Sequence, residues 1–162
     1  MVTVTLAEPS DTTAIADLME ELDRFYGETE TDPPEQRASE IVSALFGPVP
    51  AAYVLLARDD GEVVGMASYS FLWPASGLTR SLFLKELYVK QERKRQGIGA
   101  ALMQEVCRIA LRQGCSRVEW QTETTNSDAQ LFYRALDAHV FEGKVFYRLT
   151  KEEAAKIANS DQ

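Results

Sequence analysis

Glu86-Leu87-Tyr88-Val89-Lys90-Gln91-Glu92-Arg93-Lys94-Arg95-Gln96-Gly97-Ile98-Gly99-Ala100-Ala101-Leu102 decides the fold. An apolar run ends at Val89, a short basic loop follows, and a helical pattern then opens on two glycines. Glycines at a helix start let a ligand approach the backbone closely. The first helical turn leaves four N–H groups without intrahelical partners, and the helix dipole adds partial positive charge there. Arg93, Lys94 and Arg95 set three cations just upstream. Together these features describe a cradle for a phosphate-bearing ligand.

Two common phosphate motifs do not fit. A dinucleotide fingerprint needs a third glycine where Leu102 stands, and the acid about twenty residues on, Glu119, falls inside a strand instead of at its end. A Walker loop needs Gly-Lys-Ser/Thr, which is absent here. What the segment does resemble is the GNAT superfamily of N-acetyltransferases, whose signature is Gln/Arg-x-x-Gly-x-Gly/Ala. Gln96-x-x-Gly99-x-Ala101 matches it literally; in the commoner alignment Gly97 and Gly99 are the small positions and Lys94 replaces Gln/Arg. A second block, Asn126 to Ala138, resembles the family's Asn…Phe-Tyr…Leu-Gly-Ala segment through Phe132-Tyr133 and Leu136-Asp137-Ala138. Asp137 stands at the usual glycine, and aspartate tolerates a left-handed turn better than most residues.

Within the superfamily the layout is closest to the diamine acetyltransferase branch, through Leu87-Tyr88-Val89, the cradle, Gly114-Cys115-Ser116, Phe132-Tyr133 and Lys151-Glu152. That branch often carries an acid just before the cradle strand's bulge, where Lys85 stands here beside Glu86. Amino acids, aminoglycoside-like drugs and protein lysines therefore stay open as acceptors. The resemblance implies an α+β fold in a single domain over residues 1–162, with a mixed, mostly antiparallel twisted sheet of about six to seven strands flanked by about four helices. It also implies a homodimer.

Composition agrees with one soluble domain: 162 residues, 45% hydrophobic and 26% charged, suffice for a sizeable core. The absence of a long apolar run or a basic, apolar leader argues against a membrane partner and for a cytoplasmic protein. Cys107 and Cys115 suggest neither a disulfide framework nor a metal site. A net charge of −8 disfavours nucleic acid as a partner; it either suits a cationic substrate or simply keeps the surface soluble.

Along the chain, Val2 to Leu6 alternates like a strand. Ile15, Leu18, Met19, Leu22, Phe25 and Tyr26 then mark one face of a helix. Tyr26, beside Gly27, is its member best placed to reach a pocket. Glu28, Glu30 and Asp32 follow in a loop that is either solvated or one wall of an amine site. A second helix carries Ile41, Val42, Leu45 and Phe46 inward. Runs 52–57 and 62–69 flank Asp59-Asp60-Gly61 as a hairpin. Phe71 to Pro74 carries aromatics, with Trp73 fitting either a substrate wall or a dimer contact. Arg80 to Val89 reads as the longest strand. After the cradle helix come a strand at 117–123, the Asn126 helix, a closing hairpin of Val140-Phe141 with Val145 to Leu149, and a frayed helix from Lys151 to Asn159.

The chemistry implied by the resemblance is direct transfer of acetyl from acetyl-CoA to a primary amine, with no metal. The resemblance places the co-substrate against Leu87, Tyr88, Val89, Lys94, Arg95, Gln96, Gly97, Ile98, Gly99, Ala100, Ala101, Asn126 and Tyr133. A lysine-like ammonium must first be neutralised, which costs about 4.6 kcal/mol at pH 7. Glu86, among Leu84, Leu87 and Val89, is the first candidate base, with Glu119 or a water-relayed route as alternatives. In the family, a strand bulge offers N–H groups to the developing oxyanion, and these map to Leu87, Tyr88 and Val89. The family's tyrosine acid maps to Tyr133. Full proton transfer from a phenol to a thiolate is uphill by about 2 kcal/mol, which favours a shared or concerted transfer. Tyr26, Glu28, Trp73 and Glu119 are the substrate-side candidates, and a small cationic amine is the expected acceptor. Two other readings are a non-catalytic acyl-CoA sensor and a transferase for protein lysine or N-terminal amines.

Overall fold

The computed structural model describes residues 1–160, which fall into two compact units, Met1–Gln121 and a second beginning at Thr122. In the first unit the order is β1 (Val2–Leu6), α1 (Thr12–Phe25), α2 (Pro34–Phe46), β2 (Tyr53–Asp59), β3 (Glu62–Leu72), β4 (Ser81–Val89), α3 (Ile98–Arg112) and β5 (Arg117–Trp120). The strands form one sheet in the order β1-β2-β3-β4-β5, antiparallel except for the parallel β4–β5 pair. The β2–β3 hairpin turns through Asp60 (φ 48°) and Gly61 (φ 84°), the positive-φ pair that matches strand twist.

Alternation along the strands separates two apolar faces. On one, Ile15, Leu18 and Leu22 of α1 pack against Val54, Leu56, Met66 and Tyr88. Leu55, Ala57, Leu82 and Leu84 alternate to the other, where α3 buries Ile98, Leu102, Val106 and Ile109. The second unit holds α4 (Ser127–Ala135) and α5 (Lys151–Ala158), the latter opened by a reciprocal Thr150–Glu153 capping box. Among the described residues no helix is long and apolar enough to cross a membrane.

The architecture is the expected α+β class, with five strands and five α-helices among the described residues in place of six to seven and four. The closing hairpin is the missing pair of strands. Gly143 does not take the left-handed conformation that a three-residue hairpin loop uses, and the Phe141 ring lies against it, within 2.9 Å of where a Cβ would stand. Val140, Phe141, Val145, Phe146 and Tyr147 stay exposed, so the alternating pattern there has no neighbour to bury it. β3, with 11 residues, exceeds the 9 of β4, because Ser70 to Leu72 continue the ladder against Ser81 to Phe83.

Candidate active site

β4 changes partners halfway. Its parallel pairing with β5 covers only Ser81 to Leu84, while its antiparallel pairing with β3 continues to Val89. From Lys85 onward the β5-side edge of β4 therefore has no paired strand among the described residues. The register on β3 also slips there: Tyr69 faces Leu84 and Ser68 faces Glu86, which leaves Lys85 as the extra residue of a bulge. The bulge shifts the alternation, so that Glu86 and Tyr88 lie on the α1 face and Leu87 and Val89 join Leu84 on the α3 face. The Lys90 N–H donates to Val64 C=O at 3.0 Å. Successive N–H groups of a strand point to opposite edges, so those of Leu87 and Val89 face the open edge, whereas that of Tyr88 faces β3. Tyr88 is thus a structural member of the trio: it is buried, its hydroxyl lies 3.4 Å from Glu21 Oε2, and burial pushes its phenol up.

The basic loop is pinned to the β2–β3 hairpin. Lys90 Nζ bonds Glu62 Oε1 at 2.9 Å, and Arg93 bonds Asp59 while lying 3.8 Å from Glu62. The Met1 ammonium first, and Arg93 second, hold the Asp59 carboxyl below its usual range; Lys90 does the same for Glu62. Arg93 Nε also donates to Gln96 Oε1 at 3.2 Å. The three cations consequently differ in role. Arg93 is engaged within the protein. Lys94 lies with Nζ 4.9 Å over the Phe25 ring, which in turn touches Tyr26 edge-on. Arg95 is exposed and held at φ 61°, a left-handed conformation uncommon outside glycine.

Gly97, at φ 80°, is the N-cap of α3, and no side chain caps the helix. Open space surrounds the position a Cβ would take there. The helix start is seated by Gly65 on β3, where a Cβ would stand 2.8 Å from the Tyr88 carbonyl oxygen and 3.3 Å from Ile98 Cγ2. An uncapped helix N-terminus, a positive-φ loop, two cations free of carboxylate pairing among the described residues and an open strand edge fit a phosphate-bearing ligand with an extended arm.

The remaining predicted residues divide. Tyr26 ends α1, about half exposed, and Glu28 follows on an exposed loop; the Lys94–Phe25 contact ties this end of α1 to the cradle loop. Trp73 follows Leu72, which pairs with Ser81, so it sits at the opposite end of β4 from the cradle; its indole donates to Leu78 C=O at 2.9 Å. Glu119 pairs with Phe83 in the closed part of β4–β5 and bonds Arg117 at 3.2 Å. In the second unit, Asn126 caps α4 by accepting from the Ala129 N–H at 3.1 Å, and Tyr133 is half-buried with its ring 5.3 Å from that of Phe132. Asp137 takes φ 57°, the turn expected of it. The sequence reading gave Asp59 only a place in a turn and Phe25 only a place on a helix face, and it singled out neither Glu62 nor Gly65. An acidic hairpin turn and a basic loop in one chain were the only hint of the pairing. Among the described residues no group of three or more His, Cys, Asp or Glu is placed to hold a metal.

The model of the Acetyltransferase (GNAT) family matches residues 15–137. An aminoglycoside N(6')-acetyltransferase type 1 from Serratia marcescens is 33% identical over 121 residues, 72% of this chain and 82% of that protein. A thialysine N-epsilon-acetyltransferase from Bos taurus is 34% identical over 101 residues, 57% of this chain and 59% of that one, so the match spans less than two thirds of the bovine protein. Among solved structures, an integron cassette protein from the mobile metagenome of V. cholerae superposes with a TM-score of 0.90 at 26% identity, covering 98% of both chains.

Proposed function

This chain belongs to the Acetyltransferase (GNAT) family of acetyl-CoA-dependent N-acetyltransferases, and we propose that it acetylates a primary amine of a small cationic molecule. The observation that carries the reading is the open edge of β4 running directly into an uncapped, glycine-opened helix flanked by Lys94 and Arg95. When bound, acetyl-CoA supplies an activated thioester carbonyl. The N–H groups of Ile98, Gly99 and Ala100 and the cations of Lys94 and Arg95 hold the pyrophosphate. The outward N–H groups of Leu87 and Val89 would donate to the acyl oxygen and stabilise negative charge developing there. Glu86, on the α1 face, takes the proton of the attacking ammonium directly or through a water. Tyr133 would give a proton to the departing sulfur and recover one from the amine nitrogen, which loses its second proton on becoming an amide. For this, residues 1–162 act as one transferase domain.

The cationic acceptor rests on three supports: the thialysine and aminoglycoside acceptors in the relatives' names, the acids Glu28, Glu30 and Asp32, and the net charge of −8. We also read the protein as a homodimer, because a folded monomer rarely leaves so many apolar side chains of one short segment in water as lie between Val140 and Leu149. Light scattering tests that. The function is tested by thiol release from acetyl-CoA across thialysine, lysine, polyamines, aminoglycosides and neutral amines. Turnover led by a multiply charged amine is expected. Tight acetyl-CoA binding without turnover on any amine replaces the reading with an acyl-CoA sensor.

A further inference from the structure

We propose that Lys85 sets the specificity of the acceptor site by receiving a carboxylate, so that the acceptor is a dibasic amino acid and not a carboxylate-free polyamine or aminoglycoside. The proposal rests on the reading of the cradle as an acetyl-transfer site and adds to it the class of amine.

The geometry starts from the bulge. Leu84 lies on the α3 face, so ordinary alternation sends Lys85 to the α1 face. Met66 faces Tyr88 and Ser68 faces Glu86, so alternation counted back from Tyr88 sends Glu86 to the α1 face as well. Two consecutive residues of opposite charge therefore share one face of the sheet, which a regular strand forbids. Their Cα atoms are about 3.8 Å apart. α1 packs on Met66 and Tyr88, and at the next pair along this face the cover thins. Ser68 and Glu86 are half-buried there, and Lys85 is the one exposed residue among the nine of β4.

Charge supplies the second argument. Lys90, just past the end of β4, is tied to Glu62 at 2.9 Å. Among the described residues no ion pair includes Lys85. Its four-carbon stem lets the ammonium stand well away from the Glu86 carboxylate. Side by side, the two can take a carboxylate and an ammonium that belong to one molecule and are separated by a short carbon chain. The remaining charges of that molecule follow from the surrounding field. Glu86, the loop acids Glu28, Glu30 and Asp32, and the net charge of −8 favour a ligand that is positive overall. One carboxylate with two ammonium groups meets both demands. A diamine of the same length instead brings a second cation toward Lys85, and like charges repel. A dicarboxylate brings more negative charge than one lysine offsets.

The probes are L-lysine, L-lysinamide, whose carboxylate is replaced by a neutral amide, and cadaverine, which lacks that group altogether. Two readouts are taken on the whole chain. Isothermal titration uses protein saturated with coenzyme A, which carries no acetyl group and so permits no turnover; thiol release from acetyl-CoA gives kcat/KM. L-lysine should bind at least about tenfold tighter than either other probe, the size expected for one charge-assisted hydrogen bond. The same ratio should appear in kcat/KM, chiefly through KM. Lys85→Met, which keeps the apolar stem and removes the charge, should bring the three probes within about twofold of one another and raise kcat/KM for cadaverine. Lys85→Glu should reverse the preference. Thermal unfolding by circular dichroism shows that each variant folds. L-lysinamide or cadaverine bound by the parent as tightly as L-lysine overturns the proposal, as does a folded Lys85→Met that keeps the parent's ratio, or a parent that does not bind L-lysine. Turnover of amines with no preference for the carboxylate removes the role of Lys85 and leaves acetyl transfer standing. A Lys85-dependent preference in binding with no turnover of any amine does the opposite.

Discussion

Gly65→Ala probes how the cradle is seated without replacing any residue proposed to meet a ligand. The added Cβ would stand 2.8 Å from the Tyr88 carbonyl oxygen, 3.3 Å from Ile98 Cγ2 and 3.4 Å from Leu102 Cδ1. The two side-chain contacts can relax by rotation or a slight tilt. The first cannot, since that oxygen belongs to a strand held on β3 from Ser81 to Val89. Either β4 bows away from β3 or α3 rides outward by a few tenths of an ångström. Overpacking of this kind costs about 1–3 kcal/mol. The smaller conformational freedom of alanine in the unfolded chain offsets about 0.4–1 kcal/mol of it. The net loss of about 1–2 kcal/mol corresponds to a Tm lower by about 2–8 °C in a chain of this size. Because Ile98 and Leu102 are the first buried contacts of α3, the shift reaches the helix N-terminus, and acetyl-CoA affinity should fall about tenfold, or about 1.4 kcal/mol. Differential scanning calorimetry and isothermal titration read the two effects. An unchanged or raised Tm together with acetyl-CoA affinity within twofold of the parent would refute the claim that Gly65 sets the approach of α3 to β4.

Tyr133→Phe should lower kcat by about 10²–10⁴-fold with little change in acetyl-CoA affinity, and steady-state kinetics with the best amine decides it. For acid sensitivity, the depressed Asp59 and Glu62 carboxyls contribute fully above their ordinary values of 3.8 and 4.5 and lose that contribution as pH falls below them. The Arg93 Nη2–H resonance should therefore be sharp at pH 6, broaden and shift toward solvent values below about pH 4, and look acid-like at every pH in Asp59→Asn; a pH-independent resonance in the parent counts against the pinned loop. For a cationic acceptor, kcat/KM should fall as salt rises, chiefly through KM, over the range where the screening length drops below about 10 Å. Charge reversal at Glu28, Glu30 and Asp32 should flatten that dependence and leave acetyl-CoA binding intact.

What the sequence discloses here is what neighbouring residues settle among themselves. The Asp60-Gly61 turn, the α1 stripe of Ile15, Leu18 and Leu22, the glycine start of α3 and the left-handed Asp137 all follow from local conformational preference, and each is found. The bulge at Lys85 does not follow so. The apolar run through β4 gives no sign of which residue is extra, because that depends on which side chains of β3 lie opposite. The segment from Val140 to Leu149 shows the converse error, a strand pattern that finds no edge within the described chain. The cradle loop depends on both kinds of information. Arg93, Lys94 and Arg95 are equivalent as sequence, three adjacent cations before a glycine. Asp59, 34 residues earlier, takes the first, and the Phe25 ring takes the second as a weaker, exchangeable partner. Position in the fold, not residue type, thus turns one of three like charges into a structural strut and leaves Lys94 and Arg95 without a carboxylate partner among the described residues.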